Sequence, residues 1–278
     1  MRGWRLLKRA GLDDAVRQGY FRLRAAPHGY RYRTRIGDAS AEFEMATWIE
    51  YKRVKNLHGE RAVLERLLDD LDEDGVFWDV GANVGIYSCL AADTAPAGAV
   101  VGFEPEPENR RRLRENLAAS DPACEWTVSP IALWDRDATA RLAAGFDEAD
   151  RVVGAGHYYL DVGDDAEDHR PQSSGRDPAV ATVECRRAET LVEQGLPAPE
   201  VVKVDVQGAE LQVLRGFGDA LAGVETAYVE LHTEKTGRYG TTAVEAEAFL
   251  REAGFALEEI GEPDGFRGGV YHVRATRE

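Results

Sequence analysis

Residues 76–103 read VFWDVGANVGIYSCLAADTAPAGAVVGF and run directly into Glu104 and Pro105. Val76, Phe77, Trp78 and Val80 form a short apolar run rich in strand formers. The run breaks at Gly81, and Ile86, Tyr87, Leu90 and Ala91 then recur at helical spacing. Ala99–Phe103 is a second apolar strand, and it ends on Glu104. Strand, glycine turn, helix and strand make half of a nucleotide-binding α/β sheet. A glycine at such a turn lets a ligand approach the backbone closely. The start of the helix offers free N–H groups. An acid about 20 residues beyond the turn is placed to hold a ribose.

The spacing within the turn narrows the ligand. A dinucleotide site needs G-x-G-x-x-G, because pyrophosphate rests on that turn. This chain has Asp79-x-Gly81-x-Asn83-x-Gly85 instead. Two of the three glycines are displaced, and an acid stands at the mouth of the loop. Asp79 would repel pyrophosphate but suits a cationic ligand, such as the amino group or sulfonium of S-adenosylmethionine. Glu104 would accept hydrogen bonds from both ribose hydroxyls, and Pro105 fixes the direction of the chain after it.

The chain has 278 residues, enough for one large domain with a sizeable core. It carries 34 basic and 50 acidic residues, a net charge of -16. Only five lysines occur: Lys8, Lys52, Lys55, Lys203 and Lys235. High acidity with few lysines points to a haloarchaeal or similarly salt-adapted cytosol, where salt screens the self-repulsion of an acidic surface. An ordinary acidic protein from a GC-rich genome would share that composition. Nucleic acid is excluded as the main partner, because neutralising phosphates needs a basic surface. Cys89, Cys124 and Cys185 are far apart, with neither metal nor disulfide spacing, and they fit a reducing cytoplasm. No apolar run approaches a spanning length, and no signal peptide is expected.

Charge is unevenly distributed. Residues 1–35 hold ten basic residues against Asp13 and Asp14, a net of +8 that leaves -24 for the remainder. A basic amphipathic start of this kind can lie on an anionic membrane surface or dock on the acidic body. Tyr30–Ile36 and Ala41–Thr47 form a hairpin around Gly37-Asp38, and Trp48–Leu71 is helical with a break at Gly59. These elements define residues 1–59 as an N-terminal helix and hairpin extension before a domain spanning 60–278. From Val76 strands and helices alternate, which implies a parallel sheet. Helices are expected at Arg110–Ala119, Ala188–Gln194, Gly208–Phe217 and Val244–Ala253. Further strands are expected at Glu125–Val128, Val201–Val206, Thr226–Leu231, Phe255–Ile260 and Gly269–Arg274, with Val180–Arg186 as an edge strand. Ile131–Trp134 is the exit from the third strand. Residues 146–179 are polar, rich in Asp and Gly, and read as an insertion of flap or padding type.

The stretches DVGANVGIYS (79–88), VGFEPEPENRRRLRENL (101–117), IALWD (131–135), KVDVQGAELQVLRGF (203–217) and VELH (229–232) resemble, in order and spacing, the FkbM-type branch of class I S-adenosylmethionine-dependent methyltransferases. The resemblance spans Glu60 to His232 and continues weakly to the C-terminus. It implies a Rossmann-like fold, with a mostly parallel seven-stranded sheet, helices on both faces and an antiparallel C-terminal strand. It also implies S-adenosylmethionine as cofactor and O-methylation of a hydroxyl on a sugar, glycan or related small molecule. In that sheet the first and fourth strands are neighbours, so Asp79 and Asp205 are expected to face each other across the cleft. Gly81, Asn83 and Gly85 would shape the turn for the methionine part, and Ile131 and Ala132 would flank the adenine. Asp205 and Glu210 fall in a shared motif, which has Gln207 where many relatives have glutamate.

Glu230 and His232 lie on one face of the fifth strand, because side chains alternate. A histidine beside a carboxylate is a candidate general base at neutral pH. Asp205, Glu210, Glu230 and His232 are therefore the expected catalytic group. An Asp–Glu–His cluster could also hold a divalent metal; the ligand set is incomplete in sequence, and no metal is assigned. The competing readings are an NAD-dependent sugar oxidoreductase and a non-catalytic glycan- or membrane-binding module.

Overall fold

The computed structural model describes residues 13–144, 158–161, 179–260 and 269–277. Helix α1 (Asp13–Ala25) leads into a hairpin of β1 (Arg31–Ile36) and β2 (Ala39–Glu44). The expected long helix is two, α2 (Trp48–Asn56) and α3 (Arg61–Asp69), joined by a 3-10 turn at Leu57–Gly59. Leu57 and Gly59 both adopt positive φ, which no continuous helix allows. The basic residues before Asp13 lie outside the described residues.

The main sheet has seven strands in the order β12-β13-β11-β10-β3-β4-β5. In chain order these are β3 (Val76–Val80), β4 (Ala99–Phe103), β5 (Glu125–Ser129), β10 (Val201–Val204), β11 (Thr226–His232), β12 (Phe255–Ile260) and β13 (Val270–Arg277). All neighbours are parallel except β13, which runs antiparallel to both β11 and β12. This is the expected sheet, with β3 beside β10 where the strand order reverses. One apolar layer joins Phe77, Leu90, Leu113 and Val100 to the hairpin and α3 through Ile36, Phe43, Leu64 and Leu67. The helix α4 (Ile86–Thr94) and α5 (Pro107–Ser120) belong to this face. The other layer joins Trp78, Phe103 and Val229 to α6 (Ala188–Glu193), α7 (Glu210–Gly216) and α8 (Ala243–Glu252) through Leu191, Leu214 and Leu250.

The hairpin of the N-terminal extension is bonded to the main domain. The backbone N–H groups of Ser40, Glu42 and Glu44 donate to Asp93, Ser120 and Asn116 of α4 and α5, at 2.8, 3.2 and 3.0 Å. Asn116 in turn donates to the carbonyl of Val84 in the glycine turn at 2.8 Å. The hairpin thereby braces the turn.

A second sheet was not anticipated. It has four strands in the order β6-β9-β7-β8: β6 (Ala132–Leu133), β7 (Ala138–Ala144), β8 (Tyr158–Asp161) and β9 (Ala179–Arg186). The exit segment Ile131–Trp134 pairs with β9 rather than only leaving the main sheet. Strand β7 reads ATARLAA, whose alanines have weak strand propensity, so its structure comes from its partners. Within the 146–179 insertion, residues 158–161 are thus strand β8 and Ala179 opens β9; the rest lies outside the described residues.

The C-terminal cap residue of α3, Asp70, ties the two ends of the domain together. Arg274 of β13 donates to its two oxygens at 2.7 and 2.8 Å, and the hydroxyl of the buried Tyr228 donates to it as well. Burial alone would raise the Asp70 carboxyl, but Arg274 and Tyr228 hold it below its usual range. That stabilisation is complete above the ordinary carboxylate pKa near 4 and is lost as the pH falls through the lowered value. In urea unfolding, Asp70→Ala should cost about 1–3 kcal/mol by stranding the Tyr228 hydroxyl. Tyr228→Phe should cost less, because Asp70 keeps Arg274.

Candidate active site

The C-terminal ends of β3, β4 and β10 open onto a cleft lined by Gly81, Glu104, Pro105, Ile131, Ala132 and Asp205, among others. Glu104 forms one wall. Its two oxygens accept the backbone N–H groups of Asn83, at 2.7 Å, and Glu106, at 2.8 Å. Burial pushes its carboxyl up to about 7 despite those bonds. Arg110 on α5 donates to the carbonyls of Glu104 and Pro105 at 3.0 and 2.8 Å, which pins the chain where it leaves β4. Ile131 and Ala132 give the cleft an apolar wall. Tyr158, Tyr159 and Leu160 of β8 line it from the second sheet.

The glycine turn spends its donors internally. The N–H groups of Gly81 and Ala82 both donate to the carbonyl of Phe103 at 3.0 Å, and that of Gly85 donates to Ala82 at 2.9 Å. Asn83 has φ 53 and gives its N–H to Glu104. Gly81 has φ 79, and a Cβ there would lie 1.9 Å from the carbonyl oxygen of Asp205. This glycine therefore admits the neighbouring strand end, a tighter constraint than access for a ligand.

Asp79 departs from expectation. Its carboxylate is 0% exposed and does not face Asp205 across the cleft. One oxygen accepts the N–H and hydroxyl of Ser88 at 3.1 and 2.6 Å, and the other lies 3.3 Å from Lys203 Nζ. Lys203, overlooked in sequence, stands between the two acids. Its ammonium donates to the Gly81 carbonyl at 2.9 Å and lies 3.7 Å from Asp205. Burial would lower the Lys203 pKa, but Asp79 and Asp205 more than offset it, so the group is a fixed cation. A lysine within the apolar run Val201–Val204 was the available signal.

The reacting side is more tightly locked than the strand alternation implied. Glu230 and His232 do share a face, with His232 Nε2 3.1 Å from Glu230. On the other side of the ring, Nδ1 lies 2.8 Å from Glu210. Burial would lower the His232 pKa, but hydrogen bonds to Glu210 and Glu230 outweigh it and push the pKa up to about 10. Both ring nitrogens thus face carboxylates, so His232 in this arrangement has no nitrogen free to act as the general base expected of it. Glu210 is fully buried, and the oxygen that faces His232 also accepts the Gly208 N–H at 2.8 Å. His272 of β13 lies 3.1 Å from the second oxygen of Glu230. Asp205, whose side chain is 23% exposed, is the member of the group that lines the cleft. Gln207 donates to it at 2.7 Å and accepts from Lys235. A glutamate at 207 would instead set a like charge against Asp205. Glu60, at the start of α3, adds a further acid: the Tyr87 hydroxyl bonds to it, and burial with Glu230 and Asp205 nearby raises its carboxyl.

The family model for the methyltransferase FkbM domain matches residues 79–257. The chain belongs to the FkbM methyltransferase family. Its curated relatives include the hexuronic acid methyltransferase AglP of Haloferax volcanii, 34% identical over 198 residues, which cover 71% of this chain and 72% of that one. Another is the 31-O-demethyl-FK506 methyltransferase FkbM of Streptomyces tacrolimicus, 28% identical over 75% of this chain and 82% of that one. Among solved structures, an FkbM methyltransferase from Methylobacillus flagellatus aligns at 11% identity and TM-score 0.46, over 81% of this chain and 60% of that one. The protein is a methyltransferase, which sets aside the NAD-dependent oxidoreductase. Among the described residues, no helix is long and apolar enough to cross a membrane.

Lys203→Ala would leave Asp79 as an uncompensated buried charge, and a loss of about 3–5 kcal/mol is expected in chemical denaturation. Adding Asp79→Asn should recover much of it, a coupling measurable by a double-mutant cycle.

Proposed function

We propose that this methyltransferase uses S-adenosylmethionine to methylate an oxygen of a sugar or glycan acceptor. The observation that carries the choice of cofactor is the state of the turn. Its N–H groups are held by Phe103, Ala82 and Glu104, leaving the turn poor in donors for a pyrophosphate. What the cleft offers instead is a carboxylate, which receives hydrogen bonds from ribose hydroxyls, beside an apolar wall that suits a purine. The buried side-chain oxygen of Asn83 has no partner in the protein and adds a further acceptor at the turn. The residues present therefore fit this cofactor. When bound, it supplies a methyl group already activated by sulfonium.

Glu104 would hold the ribose, Pro105 and Arg110 would keep that wall in place, and Ile131 and Ala132 would flank the adenine. Gly81, Asn83 and Gly85 would shape the floor beneath the methionine part. Asp79 acts behind the turn through Ser88 and Lys203. Asp205 would meet the acceptor, with Glu230, His232 and Glu210 as a rigid backing that keeps the acceptor oxygen in line. Alignment of this kind supplies much of the barrier reduction in a displacement reaction. The name of the Haloferax relative makes a hexuronic acid the first acceptor to test, and the acidic, lysine-poor composition fits a salt-adapted cytoplasm.

Calorimetry with S-adenosylhomocysteine tests the cofactor assignment. Ionised Glu104 accepts ribose hydroxyls better than the neutral acid, so binding should tighten about ten-fold from pH 6 to pH 8, through the raised pKa of about 7. Glu104→Gln should weaken binding and abolish that pH dependence. Equal affinity in the variant and the wild type would overturn the assignment. Incubation with a hexuronic acid and labelled S-adenosylmethionine should transfer label to the sugar.

A further inference from the structure

Among the described residues, six large apolar side chains are exposed, and four of them fall between residues 16 and 30: Val16, Tyr20, Leu23 and Tyr30. Three of the four lie on α1 at positions i, i+4 and i+7, which form one stripe along a helix. Val16 and Tyr20 are 44% and 41% exposed, and Leu23 is 74% exposed. The opposite side of α1 buries Phe21 and Ala25 against Met45 and Tyr51. Packing on the domain therefore fixes the stripe outward. Trp48 of α2 meets the Tyr20 ring edge-on, at 5.4 Å between centroids.

Charge supplies a second observation. Residues 16–35 hold six arginines and no acid, in a chain whose net charge is -16. Arg22 and Arg24 flank Leu23 and are exposed. The Arg24 guanidinium lies 5.5 Å from the centroid of the Tyr20 ring. The Tyr30 N–H donates to the Ala25 carbonyl at 2.9 Å, which keeps the start of β1 against the end of α1. Arg31, Arg33 and Arg35 then alternate along the exposed face of β1, while Thr34 and Ile36 are buried. Arg31 and Arg33 share one acid, Glu42, at 3.0 and 3.9 Å. Arginines in the last turn of a helix also complement its dipole. That accounts for Arg22 and Arg24, but neither for the exposed Leu23 between them nor for the row on β1.

We propose that the outer side of α1 docks on the surface of an anionic lipid bilayer, with the arginines of β1 adding to the attraction. A basic helix with an apolar stripe lies in the plane of such an interface, its stripe at the acyl boundary and its cations among the headgroups. Tyrosine and tryptophan suit that boundary, being apolar in the ring and polar at one end. The acidic surface of a second copy of the chain would meet the arginines but not the stripe. The other exposed large apolar residues among those described, Trp126 and Val244, lie one each on β5 and α8. The surface is independent of the cleft and of the reaction carried out there.

Sedimentation of the full chain with vesicles tests this. Vesicles of phosphatidylcholine alone are compared with vesicles that also contain phosphatidylglycerol, in ~0.1 M KCl, where the screening length is about 10 Å. The chain should sediment with the anionic vesicles and stay in solution with the neutral ones. Leu23→Asn should weaken binding about ten-fold, by removing a buried leucine from the interface. Arg22→Gln and Arg24→Gln should each weaken it about five-fold. The three substitutions are at exposed positions, so an unchanged midpoint of thermal unfolding certifies the fold of each variant. No binding to either vesicle, equal binding to both, or undiminished binding in Leu23→Asn would overturn the proposal. So would a chain that ignores vesicles but self-associates in gel filtration and becomes monomeric in Leu23→Asn, which would assign the stripe to a second copy.

Discussion

The ammonium of Lys203 is the constraint on which the rest of the site depends. Asp79 lies next to the last residue of β3 and Asp205 directly follows β10 on the adjacent strand. Asp79 and Lys203 are paired across the β3–β10 register, and Lys203 also holds the Gly81 carbonyl while lying near Asp205. One cation thus ties together the base of the glycine turn, the buried acid beneath it and the acid in the cleft. Gly81 completes the arrangement, since any larger residue would collide with the Asp205 backbone.

This packing also sets the hydrogen-bonding character of the cleft. A strand–turn–helix unit ordinarily presents free N–H groups and attracts anions. Here Phe103 and Glu104 absorb the donors of the turn, and Asp79 absorbs the N–H of Ser88. The surface left over accepts hydrogen bonds rather than donating them. A similar economy governs the opposite wall, where Glu210, Glu230 and His272 leave no nitrogen of His232 free and no oxygen of Glu230 without a partner.

Much of the fold is legible along the chain. The alternation of apolar strands with amphipathic helices from Val76 onward corresponds to the observed seven strands, including the antiparallel β13. Gly59 marks the break between α2 and α3, and Thr242 with Glu245 forms a capping box at the start of α8. The second sheet was not legible, because β7 has weak propensity and pairs with β9, some forty residues later in the chain. Glu104, Ile131 and Ala132 could be placed in one cleft through the strand order that the family resemblance implies. The side-chain partners could not: Arg110 and His272 carry no local signature of their roles, and neither Lys203 in its apolar run nor Gln207 in its motif records which groups it bonds.

By itself, the amino-acid sequence determined the succession of strands and helices, the shape of the glycine turn and the set of acids near the strand ends. Those features follow from local periodicity and from glycine spacing, which act over a few residues. Only the tertiary structure decided which acids face the cleft and which are buried behind it. It also decided that His232 is clamped between Glu210 and Glu230. The protonation and orientation of a buried group depend on the charges within a few ångströms of it, and here those charges come from α7, β11 and β13. No spacing along the chain records that proximity.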